Sequence, residues 1–110
     1  MSTQFYYAKL KSFPDLVKLV ATFPTQLLKH VVMNEKNVYF VHLMGFQGSM
    51  VYYVEMPARI KEKYVVYNRF RDQVTFSENF RSDGQSACIP ILELESTNIF
   101  PAYPPSDRSP

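Results

Sequence analysis

The sequence predicts an α+β domain in which one short N-terminal helix packs on an antiparallel meander of about five to seven strands, with curling towards a barrel as one way to close it. Three observations carry this expectation. A complete set of helix start and stop signals surrounds Leu16 to Val20. From His30 onward, short β-branched and aromatic runs alternate with turn-forming residues. Finally, Val38 to Val54, VYFVHLMGFQGSMVYYV, is apolar on both parities, with Val38, Phe40, His42 and Met44 on one side and Tyr39, Val41 and Leu43 on the other. A strand open to water on one face alternates apolar with polar, so this hairpin is expected to be covered on both faces.

In chain order, Phe5 to Leu10 is a strand candidate. Ser12-Phe13-Pro14-Asp15 then opens a helix, with Ser12 or Phe13 near the cap, proline early in the first turn and an acid near the positive end of the dipole. Leu16, Val17, Leu19 and Val20 form its apolar stripe, and Pro24 ends it by excluding the preceding residue from the α region. Leu27 to Met33 reads as a strand leading into the polar turn Asn34-Glu35-Lys36-Asn37. The hairpin follows, reversing at Gly45 to Ser49, and Ala58 to Lys63 fits either a helical turn or a loop. Tyr64 to Phe70 and Val74 to Phe76 read as strands joined tightly at Asp72-Gln73, and Ser82 to Ser86 as a turn. In Cys88 to Glu95, Leu92 and Leu94 are expected to face in and Glu93 and Glu95 out, with Pro90 making the strand start late or lie at an edge. Residues 1–98 thus form a single α+β domain, and residues 99–110, rich in proline, form an extended tail.

Composition narrows the function classes. The 110 residues are 46% hydrophobic and 20% charged, which fits one soluble globular domain. Eight Tyr and nine Phe are more than such a chain needs for burial alone, so some are available for contacts. Cys88 is the one cysteine and rules out an internal disulfide. No basic-then-apolar leader opens the chain and no run reaches the roughly 18 apolar residues of a membrane span, so the expected location is cytoplasmic. The net charge of +2 divides into +6 for residues 1–71 and −4 for residues 72–110.

No complete catalytic, metal or nucleotide motif is present. A non-enzymatic chain without cofactor or metal is therefore expected, and the leading reading is a protein-protein interaction or accessory module that pairs with a protein partner or a second copy of itself. Its candidate contacts are Phe46 at the hairpin tip and Phe100, Pro101, Tyr103 and Pro104 in the tail, where the spacing PxxP can dock in an aromatic groove. A tail that only packs on its own domain gives the same spacing. Gly45 to Gly48 matches the GxxG of backbone-clamping loops, but that loop joins helices, so these glycines read as turn residues.

Two alternatives stand beside it. Arg59, Lys61, Lys63, Arg69 and Arg71 surround Tyr64, Tyr67 and Phe70 and so combine cations for phosphates with aromatic faces for unpaired bases, as a single-stranded nucleic-acid surface requires; the plain alternative is a solvated strand whose charges discourage aggregation. His42, Tyr53 and Glu55 could supply the polar groups of an aromatic-lined pocket for a small molecule, although a histidine in an apolar strand is commonly a core residue.

Overall fold

The computed structural model describes residues 5–24, 28–44, 48–81 and 84–93. Along these the chain runs β1 (Phe5–Lys9), α1 (Phe13–Thr22), β2 (Val31–Met33), β3 (Val38–Met44), β4 (Ser49–Glu55), β5 (Tyr64–Asn68), β6 (Gln73–Ser77) and β7 (Ser86–Glu93). One helix and seven strands make an α+β fold, as the sequence implies.

Local signals set α1. Ser12 is its N-cap and accepts a hydrogen bond from the Asp15 amide at 3.3 Å, and Pro14 lies in the first turn, where its missing N–H costs nothing. At the far end, Lys29 Nζ donates to the Ala21 carbonyl at 3.0 Å, satisfying one of the acceptors that a helix leaves over. Phe13, Leu16, Val17, Val20 and Ala21 are buried, a spacing of three and four residues that aims one stripe at the sheet. That stripe meets Tyr39, Val41 and Leu43 of β3, Val54 of β4, Val65 and Tyr67 of β5, and Ile89 and Ile91 of β7 in one core. Phe13 anchors the join, edge-on to Tyr39 at 5.4 Å and stacked on Phe76 at 5.9 Å.

The sheet is mixed, in the order β1-β4-β3-β2-β7-β5-β6, which corrects the expected antiparallel meander. The meander holds for β2-β3-β4 and the hairpin for β5-β6, but β1 lies parallel to β4 and β2 parallel to β7. The reason is connectivity. Parallel strands need a crossover, and α1, between β1 and β2, supplies one across the face of β3 and β4. Nor does the sheet close: β1 and β6 stand at opposite ends, so the curl towards a barrel is also corrected.

Strand β7 ties the two parts together. Ser86 to Pro90 pair antiparallel with β5, and Ile91 to Glu93 pair parallel with β2. Pro90 therefore sits inside a central strand rather than at its start or on an edge. The Ile91 amide donates to the Lys63 carbonyl at 2.9 Å, so the nitrogens of alternate residues face β5 and that of Pro90 faces the other way, where pairing to β2 begins only at Ile91. The phase of β7 also differs from expectation. Ile89 and Ile91 point to α1, whereas Leu92 lies on the outer face, 46% exposed; Leu94 and Glu95 lie outside the described residues.

Both faces of the central hairpin are covered as far as Met44, which is 58% exposed at the end of β3. On the α1 side Tyr39 is fully buried and its hydroxyl accepts from the Ile60 amide at 2.7 Å; on the outer side Phe40 and Val51 are fully buried with Tyr7, Val32 and Tyr53 packed against them. Two turns use the left-handed region without glycine, at Asn37 (φ 63°) and Asp72 (φ 53°), residues whose short polar side chains tolerate it. The second closes a four-residue turn, Arg69 to Asp72, longer than the expected two-residue link.

Leu16 is the residue on which helix and sheet most depend, being fully buried in the middle of the stripe. Leu16→Ala is expected to lower the unfolding free energy by about 2–5 kcal/mol, whereas Ser12→Ala, which removes only the cap, should cost about 0.5–2 kcal/mol, both read from urea denaturation.

Candidate functional site

The period-two geometry of β5 and β6 sorts the basic-aromatic stretch into two faces. Val65 and Tyr67 of β5, with Val74 of β6, point to α1. Tyr64, Val66 and Asn68 point to the outer face, beside Ser77, Thr75 and Gln73 of β6 on one side and Pro90, Cys88 and Ser86 of β7 on the other. Two rows of the outer face matter most: Gln73-Asn68-Ser86, and next to it Thr75-Val66-Cys88.

Over these rows lies a depression of about 210 Å³ lined by Val66, Asn68, Arg71, Gln73, Thr75, Arg81 and Ser86. Its floor comes from the strands and its two cations from the connections. Arg71 is in the β5-β6 turn, its amide donating to Asn68 Oδ1 at 3.0 Å; Arg81 follows β6, its amide donating to the Cys88 sulfur at 3.4 Å. Neither guanidinium makes a hydrogen bond or ion pair among the described residues, and no carboxylate lines the depression. Further along the same face, Phe80 is 63% exposed and edge-on to Tyr64 at 5.9 Å. Beyond that pair a second, shallower groove of about 430 Å³ is lined by Lys61, Lys63, Tyr64, Pro90 and Leu92 on its outer side, with Met33, Ile91 and Glu93 completing it.

The structure distributes the sequence candidates unequally. Lys61, Lys63 and Arg71 are exposed on or beside this face. Arg59 is committed elsewhere: it forms an ion pair with Glu93 and donates to the Asn34 carbonyl at 3.4 Å, fastening the β4-β5 connection to the sheet. Tyr67 is only 8% exposed and faces α1, so its ring is not available for stacking. Its hydroxyl donates to Asp72 Oδ1 at 3.0 Å, and Lys18 of α1 pairs with the same carboxylate at 3.1 Å. Arg69 is exposed, its amide bonded to the Gln85 carbonyl at 3.2 Å. Arg81 and Phe80 were absent from the candidate set; the repeated aromatic-basic pairs Phe70-Arg71 and Phe80-Arg81 were the available signal for both.

His42, Tyr53 and Glu55 share the outer face at the other end of the sheet, opposite Val51, Phe40 and Val38 respectively. Phe40 and Val51, both fully buried, fill the ground between them, and Glu55 is exposed in an ion pair with Lys9 at 3.3 Å. Burial pushes the His42 imidazole below its ordinary range and the Tyr7 hydroxyl above its own. Phe46, Phe100, Pro101, Tyr103 and Pro104 lie outside the described residues. Among the described residues no group of three or more His, Cys, Asp or Glu is placed to hold a metal, and no helix is long and apolar enough to cross a membrane.

No protein-family model matches the chain, and no curated protein or solved structure matches it either. The outer face of β5, β6 and β7 is therefore read on its own geometry.

The Lys18–Asp72–Tyr67 cluster sets the turn that carries Arg71. Hydrogen bonds from Lys18, first, and then from Tyr67 hold the Asp72 carboxyl below the usual carboxylate range, and the same contacts raise Lys18 and Tyr67. A carboxyl depressed in the folded state adds stability above its unfolded value of about 3.9, and loses it as pH falls through the folded value. Asp72→Asn retains a residue that tolerates the left-handed turn while removing the charge. The variant is expected to have a lower urea midpoint than wild type at about pH 7, with the gap narrowing as pH falls below about 3.9 towards the lower folded value.

Proposed function

We propose that the protein is a non-enzymatic binding module that holds a short run of single-stranded nucleic acid across the outer face of β5, β6 and β7. The observation that carries this reading is the placement of Arg71 and Arg81 in a depression at one end of this face and of Lys61 and Lys63 along the groove at its other end, with the Tyr64–Phe80 pair between them. Cations neutralise phosphates, and an exposed ring such as Phe80 offers a stacking surface that any base can use. From Asn68 to Tyr64 the floor runs about 13 Å, at about 3.3 Å per residue, so cations and rings are spread along a track.

A net charge of +2 does not weigh against this, because a ligand responds to local potential and the arginines at one end line a depression that has no carboxylate among its described lining residues, the neighbouring Asp72 being paired with Lys18. It does imply modest affinity with marked salt sensitivity. One helix covers one face of the hairpin and leaves the other to a partner or to the chain itself; Phe40 and Val51 are fully buried, so the chain supplies most of that cover. The other exposed apolar residues, Tyr6, Leu28, Met44, Phe70 and Phe76, are spread over β1, the approach to β2, the end of β3, the β5-β6 turn and β6, and scattered exposed residues of this kind are ordinary.

Fluorescence anisotropy of a labelled single-stranded oligonucleotide, titrated with protein over a range of salt, tests the reading. Affinity should fall as salt rises, and Arg71→Gln combined with Arg81→Gln should flatten the logarithmic slope by up to about 1.4, since each phosphate contact on a single strand contributes about 0.7. No binding at low salt, or a slope unchanged in the double variant, would contradict it.

A further inference from the structure

From the depression over the Gln73-Asn68-Ser86 and Thr75-Val66 rows, we infer that Arg71 and Arg81 form a site for a phosphate monoester dianion. Resting on the nucleic-acid reading above, this makes the preferred ligand a strand that carries a terminal phosphate.

The donor set leads to this class. Arg71 and Arg81 bring two permanent positive charges and planar forks of N–H groups to one small concavity with no carboxylate among the described residues of its lining. The floor adds neutral donors. Thr75 and Ser86 each offer a hydroxyl, and Gln73 a side-chain amide. Asn68 accepts the Arg71 amide on Oδ1, which leaves its NH2 as the donor facing the site. Such a lining can place several hydrogen bonds on one ligand and has little to offer a cation.

An internal phosphodiester underuses it. A diester carries one negative charge and two non-bridging oxygens, whereas a monoester carries about −1.5 to −2 at neutral pH and three acceptor oxygens. Two guanidinium groups match the charge of the monoester, and charge-assisted bonds are roughly twice as strong as neutral ones. The volume agrees with a small headgroup: about 210 Å³ holds a phosphate with its ester oxygen and leaves the rest of the ligand to run towards Phe80 and Tyr64. The backbone that carries the two cations is also held in place independently of any ligand. Arg71 sits in a turn braced from beneath by Lys18 and Tyr67 through Asp72, and Arg81 is pinned by its amide to Cys88 of β7.

The test uses the full chain in two arms. In the first, inorganic phosphate is titrated at constant ionic strength and followed by NMR. The side-chain amide signals of Asn68 and Gln73 and the backbone signals of Thr75 and Ser86 should move together, saturably, and should stay still in the Arg71→Gln, Arg81→Gln double variant, whose unchanged thermal midpoint shows that it is folded. In the second arm, matched oligonucleotides with a phosphate or a hydroxyl at either end are compared. A terminal phosphate at one end should tighten binding about tenfold, and the double variant should lose that advantage. If phosphate moves none of these signals, the site is overturned. If oligonucleotides bind equally well with and without the terminal phosphate, the inference fails while the nucleic-acid reading stands. If phosphate binds saturably and no oligonucleotide does, the monoester site stands and the nucleic-acid reading is removed.

Discussion

Everything distinctive about this molecule depends on the burial of one helical stripe against one face of the sheet. Phe13, Leu16, Val17, Val20 and Ala21 have little or no exposed surface, and the residues they meet come from β3, β4, β5 and β7. At roughly 1.5–3 kcal/mol for each large apolar side chain fully removed from water, this contact outweighs any exposed ion pair in the structure. It also fixes the phase of every strand it touches. Once Val65, Tyr67, Ile89 and Ile91 turn towards α1, Tyr64, Val66, Asn68, Ser86 and Leu92 must face outward.

A single ten-residue helix cannot cover two faces, and the outer one is treated differently at its two ends. Around the hairpin, Tyr7, Tyr53 and Val32 close over Phe40 and Val51, producing a second small core. Beyond β7 the outward residues are mostly polar or small, and the connections rather than the strands bring in cations. The join between the ends is β7, which pairs with β5 along one half and with β2 along the other. Its proline falls at the changeover, where a missing donor breaks no ladder bond.

The sequence was most legible where signals are local. Ser12, Pro14, Asp15 and Pro24 bracket α1 within a few residues, and the helix runs from Phe13 to Thr22 as they imply. Strand partners were harder, because β1 meets β4 and β2 meets β7 across long separations that no turn residue announces. Parity was harder still. The Leu92–Glu95 alternation and the Ile89–Ile91 alternation imply opposite phases for β7, and the isoleucines prevail in the described part because they lie under α1. The same ambiguity put Tyr67, which faces α1, in the candidate site beside the outward Tyr64. Arg71 was readable from its basic neighbourhood, whereas Arg81 belongs to a different segment and joins it only through the pairing of β5 with β6 and β7.

The central claim is that the outer face of β5, β6 and β7, and not the face under α1, receives the ligand. Methyl NMR of the chain saturated with a single-stranded oligonucleotide tests this directly, because neighbouring valines report on opposite faces. The account predicts that the Val66 methyl signals shift while those of Val65 and Val74 stay in place; movement of Val65 and Val74 with Val66 still, or no movement at all three, would contradict it.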